Sequence, residues 1–235
     1  MNNFTLEIKL KQRLNKIASN DYDNIEKWQI IEAFNKAAVE WCRRQLHGGN
    51  LYKEGDEFSK RRIDDLQILL TELPLTGTET DNYFESDNFP TEDYLEFKRI
   101  SAYASNECCT NNLPMSIYLS EEANVNLVLR DALKRPDYDW AETFFTMLGN
   151  KIRIYRNADF SIVDPVLTYY KRPRYIEITG VLNPYTGVVS TIDVESEFKD
   201  DIVELILDET AAIIAGDIDN FNQAQREQQA AERSN

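Results

Sequence analysis

The sequence has few of the residues that build catalytic and metal sites. It contains one histidine, His47, and three cysteines, Cys42, Cys108 and Cys109. Because the cysteine count is odd and the adjacent pair is badly placed to bridge to itself, we expect reduced thiols in a cytoplasmic setting. One histidine and no CxxC pair also argue against a structural zinc site. The sequence therefore predicts no bound metal.

Long apolar runs and glycine-rich motifs are missing too. No run reaches the ~18 apolar residues that a membrane-spanning helix needs, and the N-terminus lacks a basic flank followed by an apolar block. We therefore expect neither a membrane span nor a signal peptide. The chain has no Walker loop, no GxGxxG and no GxSxG, so neither a nucleotide site nor a hydrolase site is indicated. We expect no cofactor and no enzymatic activity.

Positive charge is scarce. The chain has 26 basic and 41 acidic residues, a net charge of −15, and its pI is about 4.6. A protein surface with this charge does not bind the phosphates of DNA. An acidic surface can still act near DNA, because it repels the duplex and denies it a binding site.

The pattern of apolar residues predicts an α+β protein whose central region is mainly antiparallel β. The chain has 235 residues, 42% of them hydrophobic, enough for one large domain or two small ones. We divide it into an N-terminal helical region (1–62), a β-rich region (63–195), and a C-terminal helix with a tail (196–235), forming one integrated domain.

The N-terminal region is predicted to be a helical hairpin. A first helix covers 5–18, with Leu6, Leu10 and Leu14 on one face and basic residues on the rest. A second covers about 24–46 and stops at the glycines after His47.

The β-rich region contains several predicted strands. We interpret residues 66–73, 95–104, 115–119 and 163–178 as strands, although 95–104 also fits a helix, and 188–192 as a further strand candidate. Residues 144–155 predict a hairpin whose turn, Gly149–Asn150, favours type II′. Residues 76–82 predict an exposed loop, and a short helix is expected from Ser120 to Leu133.

The C-terminal helix is predicted to begin after Ser196 as its N-cap. Its apolar residues form two neighbouring stripes, one including Ile202 and Ile206 and the other Val203, Leu207 and Ile214. A stripe that wide predicts contact on two sides, with its own domain and with something else.

A candidate partner interface follows from composition. Arginine and tyrosine are enriched at protein interfaces, and the end of the 163–178 strand has that composition, although an ordinary edge strand would look similar. The predicted interface residues are Tyr169, Tyr170, Lys171, Arg172, Arg174, Ile214, Ile218 and Phe221.

One pattern favours an enzyme. Glu96 and Lys98 are spaced so that a strand would point both to one face. Carboxylates that converge on Mg²⁺ near a lysine are typical of metal-dependent nucleases, and Asp81, Asp87 or Asp93 could add a ligand. The alternative interpretation is a solvated strand face with an ion pair.

Three groups of residues resemble a known family. The first is 4–16 (FTLEIKLKQRLNK) with 28–37 (WQIIEAFNKA); the second is 43–48 (RRQLHG) with 61–67 (RRIDDLQ); the third is 167–173 (LTYYKRP) with 183–184 (NP) and 201–212 (DIVELILDETAA). Together they resemble the structural ring proteins of crAss-like bacteriophages, which sit beneath the portal and build the head–tail connector. The likeness spans nearly the whole chain.

The resemblance implies a structural virion protein, made in the host cytoplasm and located at the head–tail junction. It implies a closed ring of about twelve copies that contacts the portal and neighbouring tail or ring proteins and lines the DNA exit channel without binding DNA specifically. At −15 per subunit, twelve copies carry roughly −180 before screening. The alternatives are a phage metal-dependent nuclease that uses Glu96 and Lys98, and an assembly factor absent from the virion.

Overall fold

The computed structural model describes residues 1–17, 25–47, 64–106 and 109–218, with the backbone alone for 15–17, 47, 109–111 and 216–218. These residues form two compact units, one from the described parts of Met1–Ile68 and Pro173–Asn235, the other from Leu69–Arg172. We call them the helical unit and the sheet unit. Helices and an eight-stranded sheet confirm the α+β class. The division differs from the predicted one, because residues 173–195 belong with the helices.

In the described part of the chain, four α-helices and eight strands have the following bounds, and residues 64–66 are helical as well. The helices are α1 Asn3–Ile17, α2 Lys27–His47, α3 Val125–Arg130 and α4 Asp200–Ile218, with 3-10 turns at Gln67–Leu69 and Glu122–Asn124. The strands are β1 Leu70–Pro74, β2 Gly77–Glu79, β3 Tyr83–Ser86, β4 Tyr94–Asn106, β5 Cys109–Leu119, β6 Glu142–Leu148, β7 Lys151–Tyr155 and β8 Ser161–Lys171. Among the described residues, no helix is long and apolar enough to cross a membrane.

In the helical unit, α4 packs against both α1 and α2. Leu6, Leu10 and Leu14 of α1 are completely buried, and on the α2 side the Trp41 ring meets Phe198 edge-on at 5.5 Å. Five members of the two α4 stripes are buried within the unit, whereas Leu205 is 50% exposed; the buried ones are Ile202, Val203, Ile206, Leu207 and Ile214. A contact of α4 with something else stays a prediction. The two predicted N-terminal helices exist, and each packs chiefly on α4.

Ion pairs bind the acidic face of α4 to the basic N-terminal helices. Lys9 and Arg13 both bind Glu204, and Arg13 Nε lies 2.5 Å from Asp208 Oδ1. On the other side, Arg44 binds Glu209. Exposed ion pairs of this kind each contribute up to about 1 kcal/mol to the free energy of unfolding. Their main effect is therefore to determine which faces of the helices pack together, and their effect on the stability of the unit is smaller.

The start of α4 lies three residues later than predicted. Asp200 and Asp201 occupy its first turn, where carboxylates complement the positive end of the helix. The hydroxyl of Ser196 accepts a hydrogen bond from the amide of Phe198 at 3.4 Å. Ser196 therefore closes a turn ahead of the helix and is not its N-cap.

The sheet unit has strand order β1-β8-β4-β5-β6-β7-β3-β2. Strands β1 and β2 lie at opposite ends of this order, yet only Leu75 and Thr76 separate them in the chain. Two residues span only about 7 Å, so the sheet has to curl until its edges approach. Accordingly, the amide of Ile162 in β8 donates to the side chain of Glu79 in β2 at 2.8 Å.

The curled sheet encloses the core of this unit. Leu167 and Tyr169 of β8 both point inward, because alternate side chains of a strand lie on the same face. The other buried members of the cluster come from seven segments of the unit: Leu75, Phe84, Ile100, Ala102, Ala104, Met115, Phe145, Ile152, Ile154, Phe160 and Ile162.

Several strand predictions are confirmed. Residues 95–104 and 115–119 lie in β4 and β5, and β6 and β7 form the predicted hairpin. Of the two turn residues, only Gly149 has a positive φ, +58°, which is the pattern of a II′ turn.

Other predictions on the β-rich region are wrong. Residues 67–69 form a 3-10 turn, residues 77–79 of the predicted loop form β2, and 188–192 make only an isolated bridge, Leu182–Val189. Strand β3 was not predicted. The two short strands form because β7 and β3 present backbone partners to them, and so short a segment carries no readable apolar period.

We expect Gly77→Ala to destabilise the sheet unit by about 3 kcal/mol, because overpacking against a rigid neighbour is costly. A Cβ at Gly77 would lie 1.9 Å from the carbonyl oxygen of Glu85 on β3. Urea unfolding measures the change. The control is Gly187→Ala, where φ is +70° but nothing lies within 4 Å, and about 1 kcal/mol is expected. Equal losses in the two variants would contradict the steric argument.

We expect Glu204→Gln to make the stability of the protein depend less on pH in the acid range. Hydrogen bonds from Lys9 and then Arg13 hold the pKa of Glu204 below its ordinary value of 4.5. A carboxyl group whose pKa is lower in the folded than in the unfolded state stabilises the protein at pH values above its unfolded-state pKa. That stabilisation is lost as the pH falls through its folded-state pKa. Thermal unfolding between about pH 6 and pH 3 should therefore show a smaller fall in Tm for Glu204→Gln than for the native chain. A fall in Tm as steep in Glu204→Gln as in the native chain would contradict this explanation.

Candidate partner interface

The predicted interface residues at the end of β8 divide between core and surface. Tyr169 is 3% exposed, its hydroxyl donates to both carboxylate oxygens of Asp93 at 3.1 and 3.2 Å, and its ring stacks on Tyr94. Burial, followed by the Asp93 charge, raises the pKa of Tyr169 to about 12. Tyr169 is therefore a core residue, because strand alternation turns it inward.

The neighbours of Tyr169 in the sheet unit reach the surface. Tyr170 is half-buried, with Lys98 Nζ 6.0 Å from its ring centroid. Lys171 is half-buried and Arg172 is exposed, and the backbone amide of Arg172 donates to the carbonyl of Asp93 at 2.5 Å. This strand end is therefore fixed in place, with its polar side chains towards solvent.

The remaining predicted interface residues belong to the helical unit. Arg174 is exposed, and its backbone amide donates to Glu197 Oε1 at 2.8 Å. Ile214 is only 5% exposed, since it lies on an α4 stripe that the unit itself covers. The side chain of Ile218 and the whole of Phe221 lie outside the described residues.

A stronger interface candidate lies in the connection from β5 to β6. These two strands are parallel, so a crossover has to join them. We call this crossover, residues 120–141, the arm. None of the six residues of α3, all of them described, is buried. Leu127 is 68% exposed, Leu133 67% and Trp140 60%. Exposed apolar area on the order of several hundred Å² typically marks an interaction site.

Polar contacts fix the shape of the arm, and Tyr138 packs the end of the arm against the core of the sheet unit. The Tyr118 hydroxyl donates to the carbonyl of Lys134 at 2.7 Å, and Asp131 and Asp137 accept the amides of Leu133 and Trp140 at 3.0 and 3.1 Å. A cavity of about 480 Å³, lined by Tyr118, Asn124, Leu127, Val128, Leu133 and Glu142 among others, opens beneath α3. The arm is thus a fixed projection with an open apolar groove.

The arm carries charges of both signs. Residues 120–141 contain Arg130, Lys134 and Arg135 against five acidic residues, which is 3 − 5 = −2; the acidic residues are Glu121, Glu122, Asp131, Asp137 and Asp139. All three cations are exposed and alternate with Leu127, Leu129 and Leu133. Sequence reasoning missed this surface because it treated Leu129 and Leu133 as the inner face of a longer helix. The cluster of three cations beside leucines was the available signal.

A second apolar surface lies in the helical unit, on residues 178–192, which we call the bridged loop. Its exposed members are Leu182, Tyr185, Val188, Val189 and Ile192. The loop turns through Asn183, whose amide and carbonyl pair with Val188 and Gly187 at 2.9 Å. No basic residue occurs between Arg174 and Lys199, whereas Glu177, Asp193, Glu195 and Glu197 are acidic. The bridged loop itself therefore carries no charged side chain, and acidic residues flank it on both sides.

Buried polar contacts anchor the bridged loop to the helices. Asn35 of α2 is buried and exchanges hydrogen bonds with the backbone of Ile176, accepting at 2.9 Å and donating at 3.4 Å. The Tyr185 ring stacks on Tyr175 with centroids 4.4 Å apart. The loop is held at its base, while its apolar tip faces solvent.

The residues of the nuclease alternative are only partly brought together. Glu96 pairs directly with Tyr170, and Lys98 Nζ lies 6.0 Å from the centroid of the Tyr170 ring, although the register of the strand shifts between Phe97 and Arg99. Asp93 is bound to Tyr169, which points to the opposite face. Among the described residues, no group of three or more His, Cys, Asp or Glu could hold a metal ion.

The one cysteine whose side chain is described lies in a core. Cys42 is free and completely buried, and burial raises the pKa of its thiol to about 12. Such a thiol is a packing residue and not a nucleophile. Cys108 lies outside the described residues, and so does the side chain of Cys109.

Neither a model of a known protein family nor the sequence of a curated protein matches this chain. Its function is therefore inferred from its own residues and surfaces.

We expect Ala141→Gly to stabilise the protein by about 0.5 kcal/mol. The substitution relieves the strain of a left-handed backbone conformation, and part of that gain is lost because glycine raises the entropy of the unfolded chain. Ala141, where the arm rejoins the sheet, has φ +55°, and its carbonyl accepts the amide of Ser116 at 2.7 Å. Urea unfolding provides the measurement, with Ala102→Gly in β4 as a control that should lower stability. A loss of stability in Ala141→Gly would mean that its methyl group matters more for packing than its backbone costs in strain.

Proposed function

We propose that this protein is a structural virion subunit of crAss-like bacteriophages, a member of a ring in the head–tail connector below the portal. It has no catalytic role. It is made in the host cytoplasm and functions at the head–tail junction, where about twelve copies line the DNA exit channel. This proposal rests on the sequence resemblance together with the surfaces described above.

The observation that supports it best is the arm, where the described residues leave Leu127, Leu133 and Trp140 exposed. A subunit of a closed ring needs such surfaces, because each copy is completed by its neighbours.

The net charge of −15 supports the same function. The ion pairs of Lys9, Arg13 and Arg44 neutralise part of the acidic face of α4, but the acidic excess of the chain remains. Around a channel, that excess repels packaged DNA and allows it to slide without sticking.

The test is the native mass of the purified protein, alone and mixed with portal rings of the phage that encodes it. We expect one closed complex with the symmetry of the portal, and we expect the protein among those of washed virions. An unrelated acidic protein of similar pI controls for non-specific attachment. A negative lumen is expected in a structure of the complex.

Two results would contradict the proposal. A protein that ignores the portal and is absent from washed virions would be an assembly factor. A basic lumen in the assembled ring would overturn the proposed role of the charge.

A further inference from the structure

We propose that residues 121–135 of the arm, which we call the strap, open away from the sheet as one body while the rest of the sheet unit stays folded. Opening uncovers the outer face of β6, which is the face that points away from the core of the unit. This inference goes beyond the connector function and does not depend on it, because every measurement below uses the isolated protein.

The shape of the strap is fixed, but its attachment to the sheet is weak. None of its residues is buried. In the described part of the chain, two polar contacts connect it to the sheet. The Tyr118 hydroxyl donates to the carbonyl of Lys134 at 2.7 Å, and the guanidinium of Arg153 lies 3.8 Å from the carboxylate of Glu122. A segment with few buried contacts opens at a lower free energy than the whole domain unfolds.

Both ends of the strap are held by the sheet. Before it, the amide of Ser120 donates to the carbonyl of Phe145 at 2.9 Å. After it, Pro136 is buried, and Asp137 and Glu142 exchange two backbone hydrogen bonds at 3.0 and 3.2 Å. The strap can therefore leave the sheet while β5 and β6 keep their positions.

The strap carries its own hydrogen bonds. The amide of Asp131 donates to the carbonyls of Leu127 and Val128 at 3.2 and 3.1 Å. The carbonyl of Asp131 accepts the amides of Lys134 and Arg135 at 3.1 and 3.0 Å. Movement away from the sheet breaks none of these bonds, so the strap opens as one body and not residue by residue.

A buried surface lies on the face of β6 that the strap covers. Phe144 and Thr146 point to the outer face, because Phe145 between them points into the core and side chains alternate along a strand. Both are nevertheless completely buried. The turn Glu122–Asn124 lies beside β6, which places the strap over this face.

The hydroxyl of Thr146 favours the open state. It is buried and has no hydrogen-bond partner among the described residues. A buried polar group without a partner destabilises the state that buries it, and water reaches this hydroxyl when the strap opens. The closed state therefore loses stability at the surface that it covers.

Trypsin measures the open state. The strap contains Arg130, and cleavage follows the population of the open form when opening and closing are fast compared with cleavage. We expect Tyr118→Phe, which removes one of the two contacts, to raise the rate of cleavage of the Arg130–Asp131 bond about fivefold. Mass spectrometry follows this bond alone. Tyr103→Phe, at a 45% exposed tyrosine of β4, is the control and should be cleaved at the native rate.

A second pair of variants tests the ion pair. Glu122→Gln should raise the same cleavage rate about twofold, since exposed ion pairs are weak. Glu72→Gln removes a comparable ion pair of the same sheet, with Arg99 at 3.6 Å, and should leave the rate unchanged because it does not touch the strap.

A third pair tests which surface is uncovered. Thr146→Val should lower the cleavage rate about fivefold, because valine keeps the shape of the side chain and removes the hydroxyl that lacks a partner. The control is Thr143→Val on the same strand, where the hydroxyl donates to the carbonyl of Tyr155, and this variant should not slow cleavage. An unchanged rate in Thr146→Val would overturn the inference that the strap covers this face.

Hydrogen exchange separates opening of the strap from unfolding of the unit. We expect the amides of Asp131, Lys134 and Arg135 to share one opening equilibrium and to exchange at least about a hundredfold faster than the amides of β6 and β7. Exchange as slow as in those strands, or a cleavage rate that Tyr118→Phe leaves unchanged, overturns the proposal. If the strap opens in this way but the protein ignores the portal, the connector function fails and this inference stands.

Discussion

Two residues, Leu75 and Thr76, connect strands that lie at opposite edges of one sheet. A link that short forces the sheet to curl, and the curl creates the enclosed core around Phe145 and Leu167. It also accounts for Gly77, where β2 passes so close to the carbonyl of Glu85 that no side chain fits. The conformation of the sheet unit depends on this connection.

The parallel pairing of β5 with β6 has a different consequence. Parallel neighbours cannot be joined by a tight turn, so the chain needs a crossover, and here the crossover is too short to build a core of its own. Its leucines stay in solvent, and its shape is fixed by hydrogen bonds such as that of Tyr118 to Lys134. A rigid apolar projection is therefore available to a neighbouring molecule without any part of the core having to open.

In the helical unit, charge and burial work together. The acidic helix α4 is covered by α1 and α2, and the basic residues of those helices meet its carboxylates.

Local patterns predicted much of the fold. Three features depend on only a few neighbouring residues, so the sequence alone determined them. They are the leucines four residues apart in α1, the alternation of Leu167 and Tyr169 in β8, and the turn at Gly149. It also determined the acidic charge. The short strands β2 and β3 could not be predicted, since their partners come from distant parts of the chain.

Only the tertiary structure decided which apolar residues are buried. Ile214 and Leu127 look alike in the sequence, but two helices cover the first, whereas the second lies on a crossover that nothing in its own unit covers. Tyr169 was a surface candidate by composition and became a core residue through the direction in which β8 pairs. Burial is a property of contacts between distant segments, and neither composition nor periodicity contains that information.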